Sequence, residues 1–132
     1  MSESSFQSSV LSYLNKIPGC CAENVSGNSQ QSGRPDINGV YNGKSFRIEL
    51  KILDNNNKPT QKQMLNLIKW FKSGSAICVA YKLEDVEMFM ECFKASTPWI
   101  QIYGSCASFG YYTEGDKTYE FFQKYKQLYV QN

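Results

Sequence analysis

The sequence predicts an α/β layered domain, with helices covering a mixed sheet. Three observations carry this. Apolar residues recur at helical spacing in several separate segments. An Asn-Gly dipeptide, Asn42-Gly43, sits between two strand-like runs. A short apolar run, Ala76 to Tyr81, suits a buried strand between two helical patterns. The 132 residues fit one domain with one core, residues 1–132, and no internal repeat is visible.

The first helix is expected from Ser2 to about Lys16. Phe6, Val10, Leu14 and Ile17 give its apolar stripe, Ser2 its N-cap, and Pro18-Gly19 its stop. Residues Cys20 to Gly33 read as a connection, and SGNSQQSG within them as a mobile loop. Ile37 to Tyr41 and Ser45 to Leu53 read as hairpin strands, because Asn42 and Gly43 both tolerate positive φ. Asp54 to Asn57 breaks the pattern. Thr60-Gln61-Lys62-Gln63 has the form of a capping box, followed by the stripe Met64, Leu67, Ile68 and Phe71, and Gly74 as a stop. Leu83 to Lys94 is a further helix with Val86, Phe89, Met90 and Phe93 on one face. Ile100 to Cys106 reads as a strand. Asp116 to Val130 reads as a final helix, with Phe121, Phe122, Tyr125, Leu128 and Tyr129 inward.

Composition excludes whole classes of chemistry. Histidine is absent, so there is no Ser-His-Asp triad, no Cys-His dyad and no HExxH zinc site. Acid-base or metal chemistry is left to carboxylates, lysine, tyrosine and backbone, and oxygen ligands favour magnesium or manganese. Five cysteines without a CxxC pair make neither a disulfide framework nor a zinc ribbon. No apolar run reaches the roughly 20 residues that span a bilayer. The N-terminus lacks the pattern of a signal peptide, and a cytoplasmic location is expected. Between Arg34 and Lys72, eight basic residues face three acidic ones. That surplus suits a polyanionic partner, and equally a solvated lysine-rich face.

The hairpin register follows from its turn. With Asn42-Gly43 as the loop, Tyr41 faces Lys44, Ile37 faces Ile48, and Asp36 faces Glu49. Side chains alternate, so Ile37, Phe46, Ile48, Leu50 and Ile52 share the core face, and Asp36, Arg47, Glu49 and Lys51 the other. Directly opposed residues have Cβ atoms roughly 4.5–5.5 Å apart, and two carboxylates at that distance repel. Exposure to water, a retained proton or a shared divalent cation would each relieve this. An ordinary solvated hairpin face, with Glu49 paired to Lys51 or Arg47, is the alternative to a metal site.

The residues Pro35-Asp36, then Glu49-Leu50-Lys51, resemble the PD-(D/E)xK nuclease signature. Within that superfamily the sequence is most similar to the VRR-NUC (virus-type replication-repair nuclease) domains. The carrying residues are Gly33-Arg34-Pro35-Asp36, Asn42-Gly43, Ile48-Glu49-Leu50-Lys51, Thr60-Gln61-Lys62-Gln63, and Glu3 on the first helix. The resemblance covers about residues 3–93 and implies a restriction-endonuclease-like α-β-β-β-α-β core. It implies Mg2+- or Mn2+-dependent hydrolysis of DNA phosphodiester bonds, with RNA also open, on branched or structured DNA. Asp36, Glu49, the Leu50 carbonyl and Glu3 would be metal ligands, and Asp36, Glu49, Lys51 and Gln63 the catalytic set. Lys51 would orient or deprotonate water, or stabilise the transition state. Gln63 has the capping box as its other role, and Glu3 a first-turn charge. Arg34, Lys44, Arg47, Lys58 and Lys62 are the candidate nucleic-acid contacts. A homodimer of phage or mobile-element origin is the implied context, and a catalytically silent nucleic-acid-binding or inhibitory module the other reading.

From about residue 95 the chain departs from the minimal family domain in an aromatic-rich extension to residue 132. Three roles suit it: extra core, a dimer interface, or base stacking on exposed Tyr111 and Tyr112.

Overall fold

The computed structural model describes residues 2–25, 33–54, 57–112 and 116–125, except the side chains at 116–118, 121 and 125. The expected SGNSQQSG loop, apart from Gly33, and the expected helix beyond residue 125 therefore lie outside the described residues, as do the side chains of Phe121, Tyr125, Leu128 and Tyr129. The elements run α1 (Glu3–Asn15), β1 (Cys20–Asn24), β2 (Ile37–Tyr41), β3 (Lys44–Leu50), α2 (Gln61–Lys72), β4 (Ala76–Ala80), α3 (Leu83–Phe93), β5 (Trp99–Tyr103), β6 (Cys106–Tyr111) and α4 (Asp116–Tyr125).

The strands form one mixed sheet in the order β1-β2-β3-β4-β6-β5. Among the described residues only β3 and β4 pair in parallel, through the α2 crossover that such a pair requires. The β2–β3 hairpin has the expected register, with Tyr41 opposite Lys44 and Ile37 opposite Ile48. Asn42 and Gly43 take the positive φ that a tight reversal demands, 48° and 82°.

Both sheet faces are covered. On one, α1 and α3 enclose Phe6, Val10, Leu14, Phe46, Ile48, Leu50, Val86 and Phe89. On the other, α2 and α4 pack Met64, Leu67, Phe71 and Phe122 against Ile77, Val79, Phe109 and Tyr111. The second layer buries Glu49 and half-buries Arg47 on that hairpin face, while Val40 on the same face stays exposed. Local signals explain the helices. The Ser2 side chain accepts from the Ser5 N–H, and Thr60 and Gln63 close their capping box in both directions.

Four sequence expectations are corrected. Residues 20–24 form an edge strand, not a connection. Asn15 fixes it, donating to the Ala22 carbonyl and accepting from the Ala22 N–H. Residues 99–111 form a hairpin about Gly104, not one strand ending at Cys106. Its return strand β6 is buried at every position and pairs with β4. The third strand stops at Leu50 rather than Leu53. Tyr111 and Tyr112 are buried, so base stacking on them as exposed rings is ruled out. Tyr112 stacks on Phe89 and donates its hydroxyl to the Phe89 carbonyl. No helix among the described residues is long and apolar enough to cross a membrane.

Candidate active site

The hairpin delivers its acids to the edge of the sheet where β3 ends. Asp36 immediately precedes β2, and its Oδ2 accepts from the Leu50 N–H at 2.8 Å. This bond replaces the one a backbone carbonyl would make. Strand alternation sends the Leu50 carbonyl to the same side, toward position 35, and Pro35 has no N–H to give it. The next residue points the other way, its N–H meeting the Ala80 carbonyl at 2.9 Å. The proline thus leaves the end of the ladder to a carboxylate.

Glu49, on the α2 face of β3, is only 2% exposed. Its Oε2 accepts from Gln63 Nε2 at 3.1 Å and lies 4.0 Å from the Lys51 ammonium nitrogen. Its Oε1 is buried and has no donor among the described residues. Burial pushes the Glu49 carboxyl well above the ordinary carboxylate range. The neighbouring Asp36 pushes it further, by its charge and by a contact that is a hydrogen bond only when one acid keeps a proton. Glu3 adds a smaller push in the same direction, while Lys51 pulls the other way. With both acids ionised, two acceptors meet and Oε1 is unsatisfied, a costly state for a buried charge.

These residues fit a hard divalent cation. Among the described residues no three His, Cys, Asp or Glu side chains converge on a metal-sized site. A cation here would use Asp36 and Glu49, with main-chain oxygen and waters completing the shell, as magnesium commonly does. The donorless, buried Oε1 is the observation that favours this fit.

Other expected site residues are placed unequally. Gln63 serves two roles at once: its Oε1 accepts from the Thr60 N–H at 2.8 Å while its amide nitrogen donates to Glu49. Glu3 is exposed in the first turn of α1, close enough for its charge to act on Glu49. Arg34 is exposed next to Pro35, and Lys58 is half-buried before α2. Lys62 is exposed in the first turn of α2, with its stem against Gly33. Lys44 is exposed at the hairpin turn, five residues from Glu49 and hence about 16 Å away along the strand. Arg47 turns inward under α2. Its guanidinium carbon lies 4.1 Å from the centre of the Trp70 ring, and Nη1 donates to Ser45 Oγ and to the Phe46 carbonyl. Burial lowers its pKa.

Sequence reading missed a second buried carboxylate. Asp85, also 2% exposed, accepts from the Tyr81 and Lys82 N–H groups, the Ser108 hydroxyl and the Tyr103 hydroxyl. It ties the start of α3 to the end of β4 and to both strands of the β5–β6 hairpin. Tyr81 also donates to the Asn57 carbonyl at 2.7 Å, bracing the segment that leads into α2. A signal existed: Asp85 is the N3 residue of α3, where a carboxylate reaches back to cap the helix.

A mixed sheet clad by helices on both faces, with an acid pair at the end of its central hairpin, defines the class of fold. A solved structure titled "VRR_NUC domain" has that fold: it superposes with a TM-score of 0.56 at 22% identity, over 67% of this chain and 94% of its own. The fold of this protein is VRR-NUC-like. No family model matches the sequence, and no curated protein is significantly similar to it.

Proposed function

We propose that the protein is a divalent-cation-dependent endonuclease that hydrolyses phosphodiester bonds of DNA, chiefly branched or otherwise structured DNA. The observation that carries this is the Asp36–Glu49 pair. A half-satisfied buried carboxylate faces a second acid, with an ammonium group 4.0 Å away. The VRR-NUC-like fold supports it, and so does the basic surplus between Arg34 and Lys72.

Asp36 and Glu49 would hold Mg2+ or Mn2+, with the Leu50 carbonyl as a main-chain ligand and Glu3 reaching a ligating water. When bound, such an ion lowers the pKa of a coordinated water and offsets charge on the phosphate. The protein's own groups do the positioning. The Leu50 N–H fixes Asp36 through Oδ2, which leaves Oδ1 to bind. Gln63 fixes one oxygen of Glu49, which leaves Oε1 to bind. Lys51 supplies a positive charge beside the attacking water and the phosphate oxygens. The water oxygen bonds to phosphorus, the bond to the leaving sugar oxygen breaks, and that oxygen takes up a proton. A twofold dimer would bring two such sites to two strands.

The test is a cleavage panel of duplex, single-strand, flap and four-way-junction DNA, with RNA counterparts, in Mg2+, Mn2+ or EDTA. The reading predicts cleavage of structured DNA that EDTA stops and that Asp36→Ala or Lys51→Ala abolishes. Metal-dependent cleavage that both variants retain contradicts it.

A further inference from the structure

At the far end of the sheet from the acids is a second built surface. Helix α2 runs antiparallel to β3, and three contacts follow in reverse order. Gln63 meets Glu49, Trp70 covers Arg47, and Ser75 meets Ser45 with the hydroxyls 3.0 Å apart. Where α2 ends, a cleft of about 510 Å³ opens between the Asn42-Gly43 turn, the α2–β4 turn and the end of α3. Lys44, Ser45, Trp70, Ser73, Ser75 and Ser96 are among its walls, and no carboxylate lines it among the described residues.

Lys44 is on the cleft wall, and two further cations stand on the adjacent last turn of α2. Lys69 and Lys72 are exposed in the last turn of α2. The Lys69 ammonium is 5.9 Å from the Trp70 ring, and that of Lys72 is 5.6 Å from the Tyr119 ring. Arg47 braces Trp70 from beneath, itself tied to Ser45 and the Phe46 carbonyl. Carbonyl ends of α2 and α3 point this way and by themselves disfavour an anion. In α2 those carbonyls already receive the N–H groups of Ser73, Gly74 and Ser75, and the two lysines oppose what remains. Hydroxyls, ammonium groups and a fixed aromatic wall suit a phosphate backbone.

Spacing then links this surface to the acid pair. Lys44 lies about 16 Å from Glu49 along β3. Lys69 and Lys72 lie six and nine residues beyond Gln63, or about 9 and 14 Å along α2. One strand of a duplex carries a phosphate every ~3.4 Å of axis, so about five base pairs reach Lys44, about four reach Lys72 and about three reach Lys69. We infer that the Lys44–Trp70 cleft, with Lys69 and Lys72, is a second nucleic-acid contact that grips the phosphates of a duplex arm about three to five base pairs from the bond cleaved at Asp36 and Glu49, with Lys44 at the far end of that reach. This rests on the nuclease reading and sharpens its substrate class, which becomes DNA with a duplex arm of at least that length beside the cut.

The experiment measures binding without turnover. Fluorescence anisotropy in EDTA follows two fluorescein-labelled flap DNAs, with arms of about three base pairs, short of Lys72 and Lys44, and of about eight base pairs, beyond both. Wild type binds the long-arm probe with the steeper salt dependence. Lys44→Gln and Lys72→Gln each flatten that slope by about 0.9, and leave the short-arm probe unchanged. All variants melt as wild type does. Wild-type slopes and affinities in the lysine variants, or equal losses on both probes, overturn the inference. If Asp36-dependent cleavage persists in that case, only this contact is wrong. If wild type neither binds nor cuts any probe, the contact and the nuclease reading fall together.

Discussion

Glu49 and Asp85 are both 2% exposed, and both sit near the edge where β3 and β4 end, yet they are opposite kinds of carboxylate. Asp85 is saturated by two backbone N–H groups and two hydroxyls. Glu49 has one amide donor, a lysine at 4.0 Å, a second acid against it and an oxygen with no donor. A buried charge with all its acceptors filled is a fastening, because its desolvation is repaid inside the protein. A buried charge left half-filled beside a like charge is a site waiting for a cation. Substitutions should therefore separate them: one acid is needed to fold, the other to react.

The largest expected effect is on catalysis. Asp36→Ala should lower metal-dependent cleavage by at least about 100-fold, the scale of losing one preorganised electrostatic group. Its urea midpoint in EDTA should stay close to wild type, since the repulsion with Glu49 disappears along with the bond to Leu50. A comparable loss of stability would erase the contrast.

Asp85→Ala should behave in the reverse way. It strands four donors, and buried donors without partners cost about 1–3 kcal/mol each. A net destabilisation of about 3 kcal/mol or more is expected by urea denaturation. Any activity lost should follow the unfolded fraction.

Glu49 gives the pH test. Its carboxyl is raised in the folded protein, so the fold holds that proton more tightly than the unfolded chain does. Without metal, this group's penalty is absent below the ordinary carboxylate pKa and grows as pH rises through the raised value. Thermal melts in EDTA should therefore fall across that window in wild type and fall less in Glu49→Gln. Saturating Mg2+ at neutral pH should stabilise wild type, by about 2.7 kcal/mol at 100 times its dissociation constant, and leave Glu49→Gln unmoved. Equal metal shifts in the two proteins would place the cation elsewhere.

The smallest effect sharpens Gln63. Thr60→Ala removes only the cap and should cost about 1 kcal/mol. Gln63→Ala should cost a similar amount and also slow cleavage, because it frees Glu49. Matching kinetics in the two variants would reduce Gln63 to its capping role.

Much of this was legible where signals are local. The Asn-Gly turn fixed the register, and the register brought Asp36 to Glu49. The capping box marked the start of α2, and helical spacing marked α1, α2 and α3. What escaped depends on distant partners. Strand β1 reads as CCAEN with only Ala22 buried, so neither alternation nor hydrophobicity marks it, and its pairing comes from Asn15 and β2. Gly104-Ser105 is a weak turn signal between two apolar runs, so the sequence reads as one strand where the structure has two. Tyr111 and Tyr112 looked available because sequence does not say that β6 inserts beside β4. Arg47 reads from sequence as a nucleic-acid contact, although Trp70, twenty-three residues on, draws it under α2.

The central claim is that Asp36 and Glu49 grip one cation between them. A crystal soaked in Mn2+ and measured at the manganese absorption edge tests it directly. The account predicts an anomalous peak between the two carboxylates, about 2.1 Å from an oxygen of each. An active protein whose soaked crystal shows no peak there, or shows its only peak away from both acids, would contradict it.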